Sequence, residues 1–174
     1  MRLPWVPAFA GTTKEKIAAA AIFLILSVAP VFAAGDEKPE TLPRFASLRW
    51  AEVNLRTGPG DRYPIEWILT KKGMPVEVVD KYDVWRKVLD WQGSSGWVHE
   101  RTLAGGRTVM VTGQMRSLRA EPSATAPVVA KAEPGALAQL LACRGAWCRI
   151  EAQGIKGWLE RGQIWGVFPD EVVE

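Results

Sequence analysis

The sequence predicts an all-β protein, and three observations carry that expectation. From Arg44 onward the chain runs in short apolar alternations broken by Gly, Pro or Asp, which is the period of half-buried strands. Many of these positions hold β-branched or aromatic residues, which suit a pleated surface. Beyond the first 33 residues, no segment sustains an amphipathic helical period over three turns.

The strands expected in the first half are residues 46–56, 65–69, 76–81, 84–91 and 96–99. In the first of them Leu48 and Trp50 alternate, and then Val53 and Leu55 do; the phase slips near Ala51 and Glu52, which predicts a bulge. That strand ends in V-N-L-R-T-G-P-G-D-R-Y-P, residues 53–64. Glycine reaches backbone angles other residues avoid and proline fixes its own φ, so the stretch reads as a reversal with built-in shape.

A search for self-similarity finds a repeat. Leu55-Arg56 and Pro59 match Leu118-Arg119 and Pro122 at an offset of 63, Trp85 through Val88 match Trp147 through Ile150 at 62, and Gly96-Trp97-Val98 match Gly157-Trp158-Leu159 at 61. The slow drift marks two homologous units with small deletions in turns. Each spans about 60 residues and should hold about five strands, a size that is marginal alone. The units are placed at residues 44–107 and 108–174. Gly105-Gly106-Arg107 is too short for a flexible linker, so a first strand of the second unit is expected within 108–119.

Taken in order, V-N-L-R-T-G-P-G-x-x-Y-P, G-M-P-V-E-V-V, V-W-R-K-V and G-W-V-H-E-R resemble the bacterial SH3-like domain family. L-R-A-E-P, C-R-G-A-W-C-R-I, G-W-L-E-R and W-G-V in the second unit resemble the second member of its tandem, exported form. The resemblance covers residues 44–167. It implies two small, strongly bent β-barrels with a binding or targeting role, often at the cell wall, and no catalysis of their own.

The front of the chain carries an export pattern. Residues 17–34 contain no charge, follow Lys14 and Lys16, and place Val31 and Ala33 at the −3 and −1 positions of a cleavage site. A signal peptide of residues 1–33 and a charged, Pro-containing tether at 34–43 are therefore expected. An uncleaved anchor is the competing reading, disfavoured because the strongly apolar core at 17–28 is shorter than the roughly 20 residues a spanning helix needs. Removing the leader takes away three basic groups and one acid, leaving 19 basic and 18 acidic residues. With no basic run longer than Lys71-Lys72, no nucleic-acid footprint is present. The expected location is the periplasm or the outside of the cell, with no membrane contact after cleavage.

Two cysteines, Cys143 and Cys148, bracket R-G-A-W. In an exported chain such a pair is expected to form a disulfide across a hairpin turned by Gly145. A redox pair would more often show C-x-x-C, and zinc would need further ligands, so no metal and no cofactor are expected. His99 is the single histidine. A Cys-His enzyme, of the kind often found beside such domains, needs a free thiol, so His99 reads as an ordinary surface residue. The scattered carboxylates offer no acid–base pair.

Nine tryptophans are unusual for this length, and eight lie beyond the leader. Trp97 and Trp158 follow glycine in both repeats and are expected in the core, whereas Trp85 and Trp147, at strand starts, are expected to be partly exposed. Trp67 and Trp91 have no aromatic counterpart in the second unit. With Arg56, Tyr63 and Trp85 they form the candidate ligand groove of the first unit, set against the plainer reading that the aromatics are packing and Arg56 braces the turn. The expected function is that of a non-catalytic binding protein for cell-wall peptide or glycan, or for an envelope peptide. The alternative is a protein–protein module with no small-ligand site, which exposure of Trp165 and Phe168 would favour.

Overall fold

The computed structural model describes residues 40–174. The expected signal peptide at 1–33 and residues 34–39 of the tether lie outside them. The described chain is all-β, in two seven-stranded antiparallel sheets. The first holds β1 (Arg44–Leu48), β2 (Val53–Arg56), β3 (Ile65–Leu69), β4 (Pro75–Tyr82), β5 (Trp85–Leu89), β6 (Ser95–His99) and β7 (Leu103–Ala104). The second holds β8 (Thr108–Val111), β9 (Arg116–Arg119), β10 (Val128–Ala132), β11 (Leu137–Arg144), β12 (Trp147–Ala152), β13 (Ile155–Glu160) and β14 (Ile164–Trp165). Their spatial orders are β3-β2-β6-β5-β4-β1-β7 and β10-β9-β13-β12-β11-β8-β14, one topology used twice. Each sheet bends around its own apolar core to make a small SH3-like barrel.

Each barrel thus has more strands than the five expected, for two reasons. The slip near Ala51 is a break and not a bulge: β1 pairs with β4 and β7, whereas β2 pairs with β3 and β6. The exposed corner at residues 49–52 turns the chain from one layer of the barrel to the other. After β6 a short 3-10 turn, Glu100–Thr102, returns the chain so that two residues, Leu103 and Ala104, close against β1. Bulges occur instead within β4, β10 and β11 and between β2 and β3, where they increase local bending.

Period-2 alternation fills the two cores. Leu48, Leu55, Val76, Val78, Val88 and Val98 are buried in the first, and Val109, Leu118, Leu140, Ile150 and Leu159 in the second. The disulfide between Cys143 and Cys148 belongs to the second core, and the two residues are direct cross-strand partners in β11 and β12.

The alternation also corrects the expectation for Trp97 and Trp158. Both are half-buried, because their neighbours Gly96, Val98, Gly157 and Leu159 take the inward positions. A Cβ on Gly96 would sit 2.6 Å from Leu55 Cγ, and one on Gly157 would sit 2.9 Å from Leu118 Cβ. The interior at that level has room for a glycine only, so the indoles face outward.

The barrels meet through a defined junction. Phe45 lies on the outer face of β1, yet it is 4% exposed because Trp165 and Phe168 of the second barrel pack on it, at centroid distances of 5.2 and 4.6 Å. Beside it, Thr108 N–H donates to Ser47 Oγ (3.0 Å) and Thr108 Oγ1 donates to Gly73 O (2.5 Å). The remaining Ser47–Thr108 hydroxyl contact of 2.7 Å must then have Ser47 as donor, which satisfies the buried Ser47 completely. Lys71 Nζ reaches Gly135 O at 2.6 Å. Gly166 has φ +119, and a Cβ there would lie 2.6 Å from Thr108 O, so the junction excludes any side chain at this point.

Candidate functional site

The turn that follows β2 is built from the inside. Arg56 donates from one terminal nitrogen to Asp61 O (3.1 Å) and Tyr63 O (2.8 Å), and the other lies 3.4 Å from the Asp61 carboxylate. Arg119 does the same in the second barrel, donating to Ala126 O at 2.8 Å. The guanidinium of Arg56 is therefore a brace for the loop. Tyr63 lies flat over Gly58: a Cβ at Gly58 would be 2.4 Å from the ring. Gly58 and Tyr63 are thus one packed unit, and the second barrel has Ala126 in place of the tyrosine.

Trp67 stands on β3, an edge strand of the first sheet, opposite Leu55 of β2. Leu55 is fully buried, whereas Trp67 is 59% exposed, with Ile65 and Ile68 of the same strand at 46% and 55%. Trp91 is 48% exposed at the tip of the β5–β6 turn. Buried Asp90 shapes that turn by accepting from Gln92 N–H (2.9 Å) and Ser94 N–H (2.8 Å), and it holds the indole outward. The second barrel has a tight turn through Gln153 and Gly154 here, both with positive φ, and no aromatic.

Trp85 departs from the partial exposure expected of it: it is 8% exposed, with its ring 5.4 Å from that of His99. Its cross-strand partner in β6 is His99, whose ring packs beside the indole, and at 8% exposure the indole presents no free face. His99 Nδ1 accepts from Arg101 N–H (3.2 Å) and caps the 3-10 turn. Trp165 and Phe168, whose exposure would favour a protein-docking module, are turned onto Phe45 instead.

Two ion-pair clusters brace the segments that precede β1 and follow β14. Glu40 bonds Arg44 (2.6 Å) and Arg86 (2.9 Å), and Arg86 also bonds Glu100 (2.7 Å). Burial pushes the Glu40 carboxyl up, but the hydrogen bonds and charges of Arg44 and Arg86 outweigh it and hold the group below its ordinary value. Glu171 is bonded by both terminal nitrogens of Arg107, at 2.6 and 3.1 Å. Burial again acts upward, and Arg107, the Phe168 N–H and Arg161 together bring the carboxyl below its usual range. At the C-terminal end, Cys143 N–H donates to Val173 O at 2.8 Å.

Three cavities matter. One of about 620 Å³ lies between the barrels, with Phe45 and Glu77 on one side and Trp147, Glu160, Trp165 and Phe168 on the other. A second, of about 490 Å³, adjoins the junction at Trp50, Lys72, Arg107 and Thr108. The third, of about 370 Å³, opens into the second barrel. It exists because Ala132, Ala136 and Ala138 occupy the register positions of Leu69, Met74 and Val76, which fill the first core. Among the described residues there is no cluster of three His, Cys, Asp or Glu side chains able to hold a metal, and no helix long and apolar enough to cross a membrane.

The sequence profile described as "Bacterial SH3 domain" matches twice, at residues 50–105 and 113–166. A similar curated protein is YrvJ of Bacillus subtilis (strain 168), provisionally named an N-acetylmuramoyl-L-alanine amidase. It is 26% identical over 126 residues, covering 62% of this chain and 24% of YrvJ. The chain thus spans about a quarter of that relative. Among solved structures, NlpC1 from Trichomonas vaginalis has a TM-score of 0.34 at 14% identity, over 72% of this chain and 46% of its own. An NlpC/P60 family protein from Bacillus cereus ATCC 10987 has a TM-score of 0.32 at 19% identity, over 70% and 55%. Scores this low do not establish a shared arrangement of the two barrels.

Proposed function

The chain belongs to the bacterial SH3 domain family, and on that premise we propose that it is an exported, non-catalytic binding protein of the cell envelope whose first barrel recognises wall peptide. The observation that carries this reading is the free edge of β3. Trp67, Ile65 and Ile68 are all about half exposed there, on a strand with one side unpaired among the described residues. Edge strands are ordinarily blunted by charge, proline or a covering element, and an uncovered apolar edge is suited to an extended peptide that adds as a further strand. Tyr63, seated on Gly58, lies two residues before this strand.

The choice of wall peptide draws on YrvJ, whose name concerns an N-acetylmuramoyl-L-alanine bond. The non-catalytic reading draws on the thiols, which are joined to each other, and on His99, whose Nδ1 is engaged in a cap. The leader pattern at residues 1–33 supports a periplasmic or secreted location.

Retention on purified sacculi at low salt tests the proposal. The full chain should be retained, and Trp67→Ala should reduce retention about tenfold, the scale of one interface hot spot, with an unchanged melting curve because the side chain is exposed. Absence of wild-type retention overturns the wall reading. Equal retention of Trp67→Ala overturns the assignment to β3.

A further inference from the structure

We propose that the cleft between the two barrels is a second binding site, selective for an alkylammonium side chain of lysine type on a peptide ligand. Each wall of the cleft presents the same chemistry from an independent strand pair. In the first barrel Phe45 of β1 is the direct cross-strand partner of Glu77 of β4. In the second, Trp147 of β12 is the direct partner of Glu160 of β13. Residues directly opposite in an antiparallel pair share a face, and all four line the cavity of about 620 Å³. Two aromatic–carboxylate pairs therefore meet across one opening, with Trp165 and Phe168 between them.

Charge decides the sign of the ligand. Neither Glu77 nor Glu160 makes an ion pair or a side-chain hydrogen bond among the described residues. The one cation lining the cleft, Arg161, has its nitrogens committed to main-chain oxygens, Gly145 O at 3.0 and 3.1 Å and Phe168 O at 2.5 Å. The lining therefore carries a net charge of about −1; Phe45 is covered by Trp165, Phe168 and the Arg107 guanidinium, so the ring that offers a face to a cation is that of half-buried Trp147. An aliphatic stem ending in an ammonium matches both components, with methylenes along the Trp147 ring and the head towards the carboxylates. Arginine in the ligand would also carry the charge, but its wide planar head asks for bidentate acceptors rather than two carboxylates on opposite walls.

The test uses the full chain and Nα-acetyl-lysine methylamide as the probe, at about 1 mM, the range in which a shallow single-side-chain site binds. The indole N–H signals of Trp147 and Trp165 should shift on titration, and the signal of Trp67 should not. The Nε-acetylated probe, which lacks the charge, and alanine amide, which lacks the stem, should leave Trp147 and Trp165 unmoved. Glu160→Gln, a change at an exposed position that leaves the fold intact, should weaken the response about tenfold. No shift with the lysine probe overturns the proposal, and so does an equal shift with either control. Trp67→Ala should leave this binding unchanged, so the result stands or falls separately from retention on sacculi.

Discussion

Phe45 and Trp165 meet edge to face, with ring centroids 5.2 Å apart and planes at 89°, and that contact joins the first strand of one barrel to the last strand of the other. Such a pair contributes about 0.5–1.5 kcal/mol beyond the area it buries. Phe45→Ala removes it together with the Phe168 contact and leaves the apolar face of β14 open. The expected loss is about 3 kcal/mol. Denaturant unfolding followed by tryptophan fluorescence should change from one transition to two as the barrels uncouple. A single transition with unaltered midpoint would show that the polar contacts of Ser47, Thr108 and Lys71 suffice.

The alanine-lined cavity of the second barrel offers a test in the opposite direction. Ala136→Met restores the residue that the first barrel carries at the same register, where Leu48 N–H and Val111 N–H donate to the equivalent carbonyls. Filling the space should raise stability by about 1 kcal/mol. A drop in melting temperature would mean that the strands around it have already closed to fit alanine.

Reduction of the disulfide should matter less than its burial suggests. Cys143 and Cys148 are five residues apart, so the loop they close is short and the loss should stay below about 3 kcal/mol. Because both residues are fully buried, the replacement to use is Cys143→Ala with Cys148→Ala, which leaves no buried polar atom. Calorimetry should show a lower midpoint without loss of the cooperative transition.

Acid should weaken the fold through the ion-pair clusters of Glu40 and Glu171. Glu40 and Glu171 both have their acidity strengthened in the folded chain. A carboxyl lowered on folding stabilises above its unfolded value and loses that contribution as pH falls through the folded one. Stability should therefore hold from neutral pH down to about 4.5 and decline below it. Glu171→Gln should cost about 1 kcal/mol at neutral pH, in keeping with a partly exposed pair, and should flatten the acid limb. An unchanged limb would assign acid sensitivity elsewhere.

Gly58→Ala probes the turn after β2. With a Cβ only 2.4 Å from the Tyr63 ring, the ring must leave its seat, at an expected 1–3 kcal/mol for overpacking. Combining it with Tyr63→Ala should recover most of that loss, which a double-mutant cycle measures directly.

Much of the fold was legible in the sequence because it rests on local signals. The repeat at offsets of 61–63 marked two copies of one topology, and β3 was read to the residue because Pro64 and Thr70-Lys71-Lys72 bound it. The break at residues 49–52 reads as a bulge in the sequence because a phase slip looks the same whether the chain pauses or turns a corner. Hydrophobicity alone puts the Trp97 indole inside; the contrary signal is Gly96, whose missing side chain marks the inward position. Phe45 gave no sign at all. Its burial depends on Trp165 and Phe168, more than a hundred residues away, and no alternation records that. The aromatic–carboxylate pairs of the cleft stayed hidden for the same reason, since Phe45 and Glu77 become neighbours only through the register of β1 and β4.

The relay from Thr108 through Ser47 and Thr108 Oγ1 to Gly73 O begins four residues after β7 closes the first barrel, and it leaves little slack between the units. The pair works as a caliper locked at one opening. A polymeric ligand that touches both the β3 edge and the inter-barrel cleft gains from its second contact only when its own repeat matches that fixed span, since effective concentration falls to nothing for a tether that cannot reach. If both proposed sites bind, selection among polymers of different spacing would follow from the distance between them, without either site needing to be selective by itself.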